Sequence, residues 1–132
     1  MEDPFTYEII GCCIAVQREL HCGLSENIYH HSVIRELEAQ GFEVESEVLI
    51  EYAYRGPLPV WGKMDLRVRK EDRCGGLELK SVQQIHESHR GQAMSYAKFD
   101  PEVEGVLLIN FGTAPLEVER FVGPRGWRHE TR

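Results

Sequence analysis

Between Met64 and Lys80 apolar and charged residues alternate with a period of two: Met64, Leu66 and Val68 against Asp65, Arg67 and Arg69, then Leu77 and Leu79 against Glu78 and Lys80. Strands covered on one face show this period, because successive side chains point to opposite sides of a pleated backbone. The polar cluster from Lys70 to Arg73 supplies a turn, so Val60 to Val82 is expected to be a β-hairpin. Closure about Glu71 and Asp72 sets Asp65 across from Glu78, with Cβ atoms about 5 Å apart, and puts Lys80 on the same side. A slip of one residue would carry these charges into the core, so the pattern itself holds the register. Glu-Asp lacks the glycine of a tight turn, which leaves two-residue and four-residue loops as equal expectations.

The same reading organises the rest of the chain. Apolar residues at spacings of three and four, among them Ile9, Cys13, Val16 and Leu20, predict an amphipathic helix over Thr6–His21, ended by Gly23. A second helix is expected from an N-cap at Ser25 to about Gln40, carried by Ile28, Val33, Ile34 and Leu37 and stopped by Gly41. Phe42–Tyr54 alternates and is rich in β-branched and aromatic residues, hence a strand; two prolines make Arg55–Pro59 a turn-and-edge segment. Gln84–Phe99 has helical spacing ended by Asp100-Pro101, Val103–Phe111 reads as a strand buried on both faces, and Leu116–Val122 as a final strand. The resulting order is that of an α/β fold in which one helix crosses between strands of a mixed central β-sheet flanked by helices. Residues 1–122 are expected to form a single domain, with 123–132 a flexible C-terminal tail.

Composition narrows this further. The 132 residues suffice for one domain with a real core, and no run of about 18 apolar residues suggests a membrane span. The acidic start MEDPFTYEII is unlike a signal peptide, so an intracellular protein, cytoplasmic or nuclear, is expected. Cys12, Cys13, Cys22 and Cys74 lack zinc-ligand spacing and read as reduced thiols. The net charge of −7 is unevenly spread: residues 1–52 hold 11 acidic against 2 basic residues, the remainder 11 against 13. Nucleic-acid surfaces are built from Lys and Arg that displace counterions. By charge the place for one is around the hairpin, where Lys63, Arg67, Arg69, Lys70, Arg73, Lys80 and Arg90 lie.

Asp65 and Glu78 with Lys80 have the chemistry of a magnesium site. Mg²⁺ takes one or two carboxylates and keeps several waters, and the Leu79 carbonyl could complete the protein ligands. The same three residues could equally form a cross-strand salt-bridge patch, and the strand pattern does not separate the two. Glu26, in the first turn of the second helix, is explained by the helix dipole alone. His21, His30 and His31 read as surface or helix-packing residues.

Four blocks of the chain resemble a known family. Gly23-Leu24-Ser25-Glu26-Asn27-Ile28-Tyr29 matches the GxxExxY signature of a family in the PD-(D/E)xK nuclease superfamily. Asp65-Leu66 followed by Glu78-Leu79-Lys80 resembles the superfamily's acidic residue and ExK core. His89 to Tyr96 resembles the family's HxxQxxxY helix, and Ile109-Asn110-Phe111-Gly112 its late strand. The resemblance implies a restriction-endonuclease-like core that uses Mg²⁺ or Mn²⁺ to hydrolyse DNA or RNA. Asp65 and Glu78 would be metal ligands with the Leu79 carbonyl, Lys80 the catalytic cation, and Glu26 an additional ligand, directly or through water. Gln92 and Tyr96, four apart on one helical face, resemble the QxxxY element of RecB-type exonucleases and would support substrate together with His89. Two departures stand out: Met64 occupies the place of the namesake proline, and Cys74-Gly75-Gly76 replaces β-branched residues, which predicts a late start or a bulge in that strand. The rival expectation is a non-catalytic nucleic-acid-binding or protein-interaction module that retains the fold. A homodimer or a subunit of a larger complex is a further expectation, because so small a domain has little surface with which to grip substrate.

Overall fold

The computed structural model describes residues 3–127. Helices α1 (Pro4–Leu20) and α2 (Glu26–Ala39) are followed by strands β1 (Glu43–Ala53), β2 (Pro57–Lys70) and β3 (Arg73–Lys80). Helix α3 (Glu87–Phe99) and strands β4 (Gly105–Asn110) and β5 (Glu117–Val122) complete the chain. The five strands form one sheet in the order β1-β2-β3-β4-β5, antiparallel except for the parallel β3–β4 pair that α3 connects. This is the mixed sheet with flanking helices that the hydrophobic pattern predicts. Among the described residues, no helix is long and apolar enough to cross a membrane.

Two cores sandwich the sheet. Ile9, Cys13, Tyr29, Val33 and Leu37 of α1 and α2 pack with Leu66, Val68, Leu77, Leu79, Leu107 and Ile109 on one face. Ala93, Tyr96 and Ala97 of α3 pack with Val48, Ile50, Met64, Val106 and Leu108 on the other. Strand β4 is buried along its whole length because helices cover both of its faces. Met64 and Leu66, two apart, therefore belong to different cores, which regular alternation from Met64 to Val68 does not predict.

The hairpin closes in the predicted register, Lys70 opposite Arg73 and Leu66 opposite Leu77. Its loop is the two-residue form, with Glu71 in the left-handed region at φ 56°. The bulge expected at Cys74-Gly75-Gly76 is absent, since all three pair regularly with β2. The glycines are there for space: a Cβ on Gly76 would strike the Met64 sulfur, and one on Gly75 would press on Phe5 and Trp127. Other boundaries move by a turn or less. Pro57 already pairs with Ala53, so β2 begins inside the expected turn, and α3 starts at Glu87 instead of Gln84.

The expected flexible tail is corrected up to Trp127. That indole is fully buried against Phe5, and its Nε1–H donates to the Asp3 carboxylate at 2.6 Å. Asp3 caps α1 and also receives Arg73, which itself grips Glu104, so the two ends of the described chain meet in one buried network. Residues 128–132 lie outside the described residues. Most of the hairpin's cations are likewise committed to structure. Arg67 pairs with Asp100 at 2.8 Å and with Glu45, Arg69 with Glu102 and Glu45, and Lys70 with Glu8 at 2.9 Å. Arg73 holds Asp3 and Glu104, and Arg90 holds Glu119 and Glu87. Of the seven cations that the charge pattern made available for phosphate, only Lys63 has no ion pair among the described residues, and Lys80 has a long one.

Candidate active site

The β2–β3 ladder stops at Leu66–Leu77, one step short of Asp65 and Glu78. In place of further backbone pairing, each carboxylate accepts an N–H from the opposite strand. Glu78 Oε1 takes the Asp65 N–H at 2.8 Å, and Asp65 Oδ2 takes the Leu79 N–H at 2.7 Å. The β1–β2 ladder is interrupted at the same level. Ser46 pairs with Leu66 and Val48 with Met64, while Glu47 between them adopts a left-handed φ of 56°, a costly conformation for a residue with a Cβ. The sheet thus splits between β2 and β3 at Asp65, while β1 and β2 miss one pair there without a change of register. That split is where Met64 and Leu66 part to opposite faces.

Burial governs the electrostatics. Glu78 is 3% exposed, and burial first, then the neighbouring Asp65 charge, raises its carboxyl from 4.5 to about 8. Asp65 is raised as well, by burial, against the lowering effect of its Leu79 hydrogen bond, His30 and Lys80. The Lys80 ammonium stands 3.9 Å from Glu78 Oε2, too far for a hydrogen bond. One lysine at that distance does not offset a buried carboxylate and a half-buried one beside it. A hard divalent cation would, and the donors here are all oxygens, so the set fits Mg²⁺ or Mn²⁺.

A cavity of about 230 Å³ opens beside the split, lined by Glu26, Asn27, His30, Glu47, Asp65 and Leu79. The structure therefore brings Glu26, Asp65 and Leu79 together, with Glu78 and Lys80 on the adjoining strand. No three His, Cys, Asp or Glu side chains among the described residues converge as a ready-made metal cluster, so Glu26 does not complete a direct three-carboxylate site. Its position at the exposed start of α2 leaves it across the cavity. His30, read from the sequence as surface or packing, lines the cavity while its Nε2 bonds Ser46 Oγ at 2.8 Å. Its spacing of four from Glu26 on α2 is the signal that could have found it. Glu47 had no such signal, because its role comes from the broken ladder.

Helix α3 divides its three expected substrate residues. Tyr96 is buried, its hydroxyl accepting the Lys63 N–H at 3.3 Å, and burial raises its pKa. His89 caps the helix start by accepting the His86 N–H on Nδ1 at 3.0 Å; slight burial and the nearby Lys80 charge lower its pKa. Gln92 is exposed, and its backbone carbonyl accepts the Ser95 hydroxyl. The face shared by position thus holds a core tyrosine, a cap and a solvated amide.

The remaining blocks fasten the loops around Lys80. Tyr29 stacks on Phe111 with ring centroids 4.5 Å apart, and its hydroxyl binds the His21 carbonyl and the Leu24 N–H, fixing the loop before Glu26. Gly23 takes φ 95° in that loop. Ser81 donates to the Leu24 carbonyl at 2.7 Å. Fully buried Asn110 bonds both the N–H and the C=O of Val82. Among known proteins, a family model described as the PD-(D/E)XK nuclease superfamily matches residues 3–121. No curated protein and no solved structure matches.

Proposed function

The chain belongs to the PD-(D/E)XK nuclease superfamily, and on that premise we propose that it is a divalent-metal-dependent nuclease hydrolysing phosphodiester bonds in DNA or RNA. The observation that carries the reading is the split between β2 and β3, where the buried Glu78 and the half-buried Asp65 replace the ladder with Lys80 beside them. Asp65, Glu78 and the Leu79 carbonyl would hold Mg²⁺ or Mn²⁺, with Glu26 reaching it through water from across the cavity. A cation bound there supplies Lewis acidity and neutralises charge on the phosphate. Lys80, whose ammonium stands 3.9 Å from Glu78, would offset negative charge developing on the phosphoryl oxygens. Tyr96 braces β2 through the Lys63 N–H, and His89 fixes the start of α3, so both act by positioning. The Gly23, Glu26 and Tyr29 pattern further supports placement in the GxxExxY group.

The test is hydrolysis of single-stranded, duplex and branched substrates with Mn²⁺. Lys80→Ala is expected to lose roughly 100-fold or more in rate, the size typical of removing one charge-stabilising group. Equal rates for Lys80→Ala and wild type would sink the proposal. A second reading, a non-catalytic interaction module, is favoured by the commitment of Arg67, Arg69, Lys70, Arg73 and Arg90 to ion pairs. It predicts binding with no turnover for any substrate or metal.

A further inference from the structure

Strand β2 runs well beyond β3. Its residues from Pro57 to Met64 have β1 on one side and, among the described residues, no strand on the other, so the distal hairpin stands out from the sheet. Side chains two apart share a face. Gly62 and Met64 look toward α3, where a Cβ on Gly62 would strike Tyr96 and Tyr52. Trp61, Lys63 and Asp65 therefore occupy the opposite face, with Glu51 across from Trp61 and Leu49 across from Lys63. No helix among the described residues covers this face, since Trp61 is 57% and Leu49 64% exposed. The Trp61 ring makes no aromatic or cation contact among the described residues, in contrast to Trp127. Four steps along the strand separate Trp61 from Asp65, about 13 Å, so the exposed face runs straight into the cavity at Asp65.

We infer that this face of the β1–β2 hairpin is a docking track for single-stranded nucleic acid, with Trp61 as the base-stacking platform and Lys63 as the phosphate contact. The inference rests on the nuclease reading for the identity of its ligand, and it specifies the class: a single or frayed strand whose bases are free to stack. One feature favours a nucleic acid over a protein partner. The aromatic and the unpaired lysine lie on the same strand face as Asp65, and they lead to it in line. Glu51 and Glu47 on the facing strand oppose a bare electrostatic grip, so stacking, which every base can supply, carries the binding. A duplex, with its bases covered, presents this face with phosphates alone.

The chain's two tryptophans make the test direct, because Trp127 is buried and Trp61 is exposed. Titration with an oligothymidylate, in Ca²⁺ and again in EDTA, is expected to quench the intrinsic emission, and a blunt duplex to quench it much less. Trp61→Phe retains binding without the quench. Trp61→Ala weakens binding by about 5- to 150-fold, the range for one base–aromatic stack. Lys63→Ala lowers the salt slope of log affinity by about 0.7, the value for one single-strand phosphate. Wild-type emission unchanged on binding, undiminished affinity in Trp61→Ala, or no binding at all overturns the inference. So does self-association in sedimentation that Trp61→Ala abolishes, which would make the face a protein interface. The two readings fail separately. Quenching without any hydrolysis removes the nuclease assignment and leaves the track, whereas Lys80-dependent hydrolysis indifferent to Trp61→Ala removes the track alone.

Discussion

Glu78→Gln isolates the cost of burying the Glu78 carboxylate beside Asp65. Glu78 titrates near 4.5 when unfolded and at about 8 in the folded chain, so the folded state binds its proton more tightly. Stability from this group is present in acid and is lost as pH rises from 4.5 toward 8, by up to roughly 1.4 kcal/mol per pH unit. Between pH 5 and pH 7 that is roughly 3 kcal/mol, or about 10 °C in Tm for a domain of this size. The Glu78→Gln variant would keep an acceptor for the Asp65 N–H while removing the charge, and with it the repulsion that helps raise Glu78. Thermal melts in EDTA at pH 5, 6 and 7 should therefore show the variant gaining on wild type as pH rises. Mn²⁺ added at pH 7 should then stabilise wild type by about 2.7 kcal/mol at 100 times its Kd, and Glu78→Gln by much less. A Tm difference that stays constant from pH 5 to pH 7 would refute the claim that burial and Asp65 together penalise the Glu78 charge.

Asp3→Asn tests the opposite sign. Burial alone would raise the Asp3 carboxyl, but hydrogen bonds from Arg73, Trp127 and Thr6 outweigh it and hold the group well below the usual carboxylate range. Its contribution is present above the ordinary carboxylate pKa and lost as pH falls through the acid range. The variant should melt lower at pH 7, by about 3 kcal/mol on the scale of a broken buried ion pair, and show a flatter acid limb in a pH series of melts. Asn110→Ala leaves the Val82 N–H and C=O without their side-chain partner, at about 1–3 kcal/mol for each group, read as a shift of the urea midpoint at constant m-value. Hydrolysis should fall further than binding, because the segment after Lys80 loosens.

Fold order, hairpin register and the two-helix start are legible because each follows from local periodicity. Met64, Leu66, Leu77 and Leu79 are all buried, as alternation requires. What alternation cannot carry is the point where it fails. Regular pleating would leave Asp65 facing Glu78 across an intact ladder, whereas the carboxylates themselves displace backbone pairing. Gly75 and Gly76 mislead for a related reason. Their weak strand propensity is a local quantity, but their use is to let Phe5, Trp127 and Met64 cross the strand, which is a fact of tertiary packing. The basic residues mislead too, since a count of Arg and Lys does not reveal that Asp100, Glu102 and Glu104, some thirty residues on, neutralise Arg67, Arg69 and Arg73.

The spacing of the four motif blocks acquires a physical meaning from how they are joined. Lys80 ends β3, and two residues beyond it the chain must leave the sheet to reach α3. A strand end with free backbone groups would fray, and the ammonium with it. Two fastenings prevent this: Ser81 holds the Leu24 carbonyl in the loop before Glu26, and Val82 is held on both backbone groups by Asn110. Gly112 lies so close over Val82 that a Cβ would strike its backbone. Tyr29, stacked on Phe111, ties the same loop to the end of β4. The Gly23–Tyr29 and Ile109–Gly112 blocks thus work on the two sides of one segment, and the second also holds Lys80 directly, Asn110 pairing with it across the sheet and the Phe111 N–H donating to its carbonyl at 2.7 Å.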